Sequence, residues 1–296
     1  MFSQVIAGVD GTAGGHDAAL LASKLVAPAG ELTLVHVYPA DESGYHGSGV
    51  NFTAIARQDS LELLATERDA IGVDAEIEAV GASSVGAGLH RIAGEHDSDL
   101  LVVGSCARGA VGRLLLGDDM RASLDGAPCA VAVAPLGYAE HPGPLATIGV
   151  AYDGTDESEA ALALARMVAG EHDARIEALT VVGTPTYAYG VMVAIDWSEV
   201  LSDLEREAQA RLDAFDDVEG SVVGGIPTQA LARFGEEVDL LVVGSRGFGP
   251  ARRMLFGSTS EYLVRHIRCP LLIVRRGVEA RGEPTHATTG ASGAGA

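Results

Sequence analysis

The residues best suited to chemistry lie between positions 240 and 261. A strand-like run, Leu240-Leu241-Val242-Val243, feeds Gly244, and the spacing from there is Gly244-x2-Gly247-x9-Gly257-Ser258. Glycines allow positive φ and close backbone approach, so successive N–H groups can converge on an anion. Gly257-Ser258 precedes a helix start, where unpaired N–H groups and the helix dipole favour phosphate. Arg246, Arg252 and Arg253 supply local positive charge. A second explanation stands beside this one. Ser258-Thr259-Ser260-Glu261 is also a Ser-x-x-Glu capping box, which needs no ligand.

A second stretch has the same layout with two departures. Gly104-x2-Ala107-x9-Gly117-Asp118 puts alanine at the second glycine and a carboxylate where Ser258 stands. A carboxylate about 4 Å from a phosphate charge repels it by about 4 kcal/mol at an effective dielectric near 20. A phosphate ligand would there need a divalent cation such as Mg2+. Asp118 otherwise serves as a plain helix N-cap.

Other chemistries are poorly served. The single lysine, Lys24, stands in Ala22-Ser23-Lys24-Leu25, so there is no Gly-Lys-Ser/Thr phosphate loop and no kinase-type strand lysine. Cys106, Cys129 and Cys269 form no Cys-x-x-Cys pair and suit reduced thiols. The histidines show no ligand spacing; His36 reads as a strand residue and His90 as a helix residue. Tyr187, Tyr189, Met192 and Trp197 could cover a ligand or simply pack. No catalytic base stands out.

Positioning such loops takes a repeated α/β unit. Gly104 and Gly244, Gly117 and Gly257, and Cys129 and Cys269 are each 140 residues apart. Asp99-Leu100-Leu101-Val102-Val103 matches Asp239-Leu240-Leu241-Val242-Val243, and Asp10-Gly11-Thr12 matches Asp153-Gly154-Thr155. A repeat this long is a duplicated domain rather than a solenoid. Strands are expected at Val5–Val9, Leu32–Val37, Ala75–Val80, Leu100–Val103 and Ala130–Ala134. The second set is Thr147–Ala151, Ile176–Val181, Gly220–Val223, Leu240–Val243 and Leu271–Val274. Continuous apolar runs separated by helical patterns indicate doubly wound α/β domains, each a five-stranded parallel sheet with helices on both faces. The expected organisation is a domain at 1–137, a linker at 138–145, a domain at 146–276 and a disordered tail at 277–296.

The glycine spacing after Asp-Leu-Leu-Val-Val, the early Asp-Gly-Thr and the late Cys-Pro-Leu-Leu-Ile-Val together resemble the universal stress protein family over about residues 2–136 and 146–276. The resemblance implies strand order 3-2-1-4-5 and an ATP site. It places Asp153 near the nucleoside, Val181 near adenine, and Gly244, Ser245, Gly247, Gly257, Ser258 and Thr259 around ribose and phosphates. The weaker counterparts in the first half are Asp10, Val37, Gly104, Ser105 and Gly117. It also implies pairing of domains through their last strands, here an intrachain pseudo-dimer, with a further homodimer allowed. The functional expectation is a regulatory, stress-linked protein that holds ATP mainly in its second half, with or without Mg2+. The alternatives are a slow ATPase or adenylate-chemistry enzyme, and an interaction module without nucleotide.

Bulk properties narrow the partners. A net charge of −21 repels nucleic-acid backbones. No apolar run approaches a bilayer span, and the start lacks a signal-peptide pattern. The expected location is cytoplasmic, with no membrane partner.

Overall fold

The computed structural model describes residues 1–40, 52–105, 126–183, 197–245 and 258–274. In the first half these form β1 (Phe2–Gly8), α1 (Ala13–Leu25), β2 (Val26–Pro39), α2 (Phe52–Ile71), β3 (Glu76–Ala82), α3 (Val85–Glu95), β4 (Leu100–Gly104) and β5 (Ala130–Ala134). A short 3-10 turn at Tyr138–Glu140 leads to β6 (Thr147–Ala151), α4 (Asp156–His172), β7 (Arg175–Val182), α5 (Trp197–Leu212) and β8 (Val218–Gly224). Then come α6 (Pro227–Phe234), β9 (Leu240–Gly244), α7 (Ser258–His266) and β10 (Leu271–Val274).

All ten strands share one sheet, in the order β3-β2-β1-β4-β5-β10-β9-β6-β7-β8. Each half therefore reads 3-2-1-4-5, with parallel neighbours throughout. β2 begins at Val26, earlier than the apolar run alone suggests, and its register with β1 shifts between Phe2 and Gln4. The halves join where β5 and β10 run antiparallel, with Leu271 opposite Val133, Leu272 opposite Ala132 and Ile273 opposite Val131. Each strand would otherwise leave a row of backbone groups unpaired at an apolar edge.

The alternation along the strands builds two core layers, one per face. Leu100 and Val102 join Leu21, Leu25, Leu162 and Val168 on the α1/α4 face. Leu101 and Val103 join Leu89, Ile92, Leu231, Phe234 and Leu263 on the other. Both layers run through β5 and β10 from one half into the other.

The aspartate heading each Asp-Leu-Leu-Val-Val run has a local task. Asp99 accepts from the N–H of Ser3 at 2.7 Å and of Gln4 at 3.1 Å. Asp239 accepts from the N–H of Ala146 at 2.9 Å and of Thr147 at 2.8 Å. In each half the carboxylate thus pins the start of the first strand beside the fourth.

The segment joining the halves is held down. The Asp17 carboxylate, buried on α1, accepts from Gly137 N at 2.8 Å and Ala139 N at 2.7 Å. Lys24 Nζ donates to the Gly143 carbonyl at 2.5 Å and lies 5.4 Å from the centre of the Tyr138 ring. The His172 ring, at the end of α4, sits 3.0 Å from the Lys24 carbonyl. Burial lowers the Lys24 pKa, against the opposing pull of Asp239.

Candidate functional site

In each half the first and fourth strands are neighbours, β1 with β4 and β6 with β9. In the second half the helices that follow them, α4 and α7, cover opposite faces of the sheet, and in such doubly wound sheets ligands bind in the crevice at the carboxyl ends of these strands. The described candidate residues lie at or near the ends of these strands and of their neighbours β2 and β7.

The aspartate turns are built alike. Asp10 Oδ1 accepts from Thr12 N at 3.0 Å and Thr12 Oγ1 at 2.6 Å. Asp153 Oδ1 accepts from Thr155 N at 3.2 Å and Thr155 Oγ1 at 2.6 Å. The middle residues, Gly11 and Gly154, adopt φ of 73° and 76°, which explains the glycine in Asp-Gly-Thr. One carboxylate oxygen of each aspartate is therefore engaged in shaping its own turn.

Val37 and Val181 lie near the carboxyl ends of β2 and β7, opposite Val80 of β3 and Val223 of β8. β2 and β7 themselves are tied to the aspartate loops, by Val9 N to Val35 O at 2.8 Å and Tyr152 N to Leu179 O at 3.0 Å. His36 Nδ1 lies 2.7 Å from the Val9 carbonyl, so this histidine fastens the loop.

At the fourth strand, Gly104 and Gly244 carry a packing demand that the motif reading did not anticipate. A Cβ on Gly104 would fall 1.8 Å from the Gly14 carbonyl oxygen of α1. One on Gly244 would fall 2.6 Å from the Glu157 carbonyl oxygen of α4. These glycines let the first helix of each half cross the end of the fourth strand. Ser105 and Ser245 continue the ladder, donating their N–H to Ala134 O at 2.9 Å and Val274 O at 2.8 Å. Both are buried, and among the described residues the Ser105 hydroxyl has no hydrogen-bond partner. An unpaired buried hydroxyl costs about 1–3 kcal/mol.

Gly117, Gly247 and Gly257 lie outside the described residues, as do Ala107, Cys106, Asp118, Arg246, Arg252, Arg253, Tyr187, Tyr189, Met192 and the tail. Ser258 and Thr259 open α7, and Thr259 is half-buried. The Glu261 carboxylate pairs with Arg265 at 2.6 Å along the same helix.

The crevices differ in residues that motif spacing did not single out. α4 has Asp156, Glu157 and Glu159 in its first turn, whereas α1 has no acidic residue there and carries Gly14 and Gly15. Carboxylates at a helix N-terminus neutralise the dipole that would otherwise draw an anion. Glu157 is buried, directly over Gly244. Tyr152, before Asp153, donates its hydroxyl to Glu159. Burial, then the Glu159 carboxylate, raises the Tyr152 pKa to about 12. In the first half Val9 replaces that tyrosine, and His16 Nδ1 instead meets Glu67 of α2 at 2.5 Å. The sequence signal was the contrast between Ala-Gly-Gly-His and Asp-Glu-Ser-Glu at the two helix starts.

Two open cavities among the described residues, of about 540 and 410 Å³, lie elsewhere. The larger is lined by Arg166, Arg175, Asp217 and Glu219, the smaller by Tyr138, Asp239 and Arg268. Neither contains a candidate residue, so the crevices rest on topology and residue chemistry.

The model of the universal stress protein family matches residues 1–135 and again 145–275. A universal stress protein of Mycobacterium bovis is 29% identical over 290 residues, covering 92% of this chain and 97% of its own. One from Thermus aquaticus is 31% identical over 138 residues, 44% of this chain and 98% of its own. Among solved structures, a universal stress protein from Archaeoglobus fulgidus superimposes with a TM-score of 0.66 at 18% identity, covering 93% of this chain and 99% of that one. No described helix is long and apolar enough to cross a membrane. With the family model matching twice and a relative aligned along nearly the whole length, the chain belongs to the universal stress protein family, in its tandem two-domain form.

Proposed function

We propose that this universal stress protein is a regulatory, stress-linked protein that holds an adenine nucleotide in the crevices, mainly in its second half. The observation that carries the reading is the meeting, at adjacent strand ends, of the Asp153 turn with Gly244 and Ser245. Asp153 would face the nucleoside and the main chain near Val181 the adenine. Ser245, Gly247, Gly257, Ser258 and Thr259 would take ribose and phosphates. The acidic first turn of α4 favours a nucleotide carried with Mg2+, because a cation offsets repulsion between Glu157 and phosphate oxygens. The two halves would act as an intrachain pseudo-dimer in the cytoplasm, bounded by residues 1–137 and 146–276. Holding the ligand needs no catalytic base, which accords with a binding rather than a hydrolytic role.

The test is calorimetry with ATP, with and without Mg2+, on the wild type and Gly247→Val. A valine there fills the space the phosphates need, and at least about a tenfold loss of affinity, about 1.4 kcal/mol, is expected. Equal heats and affinities for the two proteins would sink the assignment.

A further inference from the structure

The smaller cavity, of about 410 Å³, is built by three lead-in segments. Residues 138–145 run into β6, residues 235–239 join α6 to β9, and residues 268–270 join α7 to β10. β9 lies between β6 and β10 and is parallel to both, so these segments gather at the amino ends of the strands. The crevices belong to the opposite, carboxyl ends. The volume falls in the range of small-molecule sites, about 300–1,000 Å³.

Both signs of charge line this cavity without pairing with each other. Arg268 is exposed and makes no hydrogen bond or ion pair among the described residues. Asp239 spends Oδ2 on the Ala146 and Thr147 amides, while its Oδ1 accepts nothing among the described residues. Glu236 is exposed, and its carboxylate makes no ion pair among them either. The Lys24 ammonium feels the Asp239 charge but is committed to the Gly143 carbonyl. Between the charges the wall is apolar, with buried Leu145, Val238 and Pro270. Burial, with the Asp239 carboxylate adding to it, raises the pKa of Tyr138 and of Cys269 in the same wall to about 12. Displaced acidities gathered around one cavity favour a site over plain surface.

We propose that this cavity binds a free aliphatic α-amino acid. Arg268 takes the carboxylate, Asp239 and Glu236 take the ammonium, and the side chain lies against Leu145, Val238 and Pro270. Bonds between charged partners of this kind are the strong ones. A simple anion is the wrong ligand, because the net charge of −21 repels it. A simple cation meets the Arg268 guanidinium. A zwitterion brings no net charge and answers both signs at once. The ligand would tie the segment joining the halves to the second half. This inference does not depend on nucleotide binding.

The test is calorimetry on the full chain with L-leucine at millimolar concentration. Two analogues accompany it: leucinamide, which lacks the carboxylate, and N-acetylleucine, which lacks the ammonium. The protein variants are Arg268→Gln and Glu236→Gln, whose exposed side chains should leave the melting curve as in the wild type. Saturable binding of one leucine per chain is expected, with each analogue weaker by at least about tenfold. Arg268→Gln should weaken leucine far more than leucinamide, and Glu236→Gln should weaken leucine far more than N-acetylleucine. Absence of leucine binding overturns the proposal, as does equal binding of either analogue or unchanged affinity in Arg268→Gln. Displacement of leucine by ATP would put the amino acid in a crevice and would likewise overturn it. Should a variant fail to fold, the analogue comparison on the wild type decides alone.

Discussion

At the scale of single residues, Gly104 and Gly244 show how one position meets two demands. Both belong to the glycine motif, yet each also lies where a helix backbone leaves no room for a Cβ. Gly104→Ala and Gly244→Ala should therefore destabilise the protein without any ligand, by about 1–3 kcal/mol, the usual cost of overpacking. Gly104→Ala should cost more, since its clash is the tighter. Urea unfolding of the ligand-free variants checks this, and unchanged midpoints would return both glycines to a purely ligand-directed role. Two tyrosines make a second case. Tyr138 and Tyr152 both have pKa values raised from 10 to about 12, chiefly by burial. A group held protonated in the fold contributes stability fully present below its unfolded pKa. That stability is lost as pH rises through the folded value. Between about pH 10 and 12 the protein should thus lose stability, and ultraviolet absorbance titration should show a late-ionising fraction. Tyr152→Phe should remove part of that fraction and flatten the alkaline loss.

At the scale of elements, the segment between the halves contradicts the usual picture of a free tether. Its glycines and prolines read as a loop, and in part it is one, with Gly137 at φ 81°. What anchors it is Asp17, which sits more than a hundred residues away in sequence and turns its whole carboxylate to the Gly137 and Ala139 amides. Hydrogen bonds to a charged group contribute about 1.5–3 kcal/mol. Asp17→Ala should lower stability by about that amount and expose residues 137–143 to protease, read by limited proteolysis and mass spectrometry of the first cut. Wild-type cleavage rates in the variant would show that the strand pairing alone fixes the segment.

At the scale of the whole molecule, one sheet and two shared core layers make the halves mutually dependent. β5 and β10 are apolar and fully buried, and each covers the edge of the other. Splitting the chain at Gly143 should yield halves that self-associate or aggregate when purified apart, and that recombine when mixed, as followed by sedimentation velocity. Two monomeric, well-behaved halves would mean that the antiparallel join contributes little.

Local and periodic features are legible in the order of residues alone. The repeat at 140 residues, the apolar strand runs, the Asp-Gly-Thr turns and the glycine spacing were all legible, because alternation and turn chemistry are properties of neighbours along the chain. Contacts between distant residues emerge only once the chain is folded. The fold places Gly14 against Gly104, Glu157 against Gly244, Asp17 under the joining segment and Ser105 in the buried interior. It also distinguishes the more buried outer strand β3 from the more exposed outer strand β8. Burial and hydrogen-bond satisfaction are set by what the fold brings within a few ångströms, and no spacing rule along a single chain encodes that.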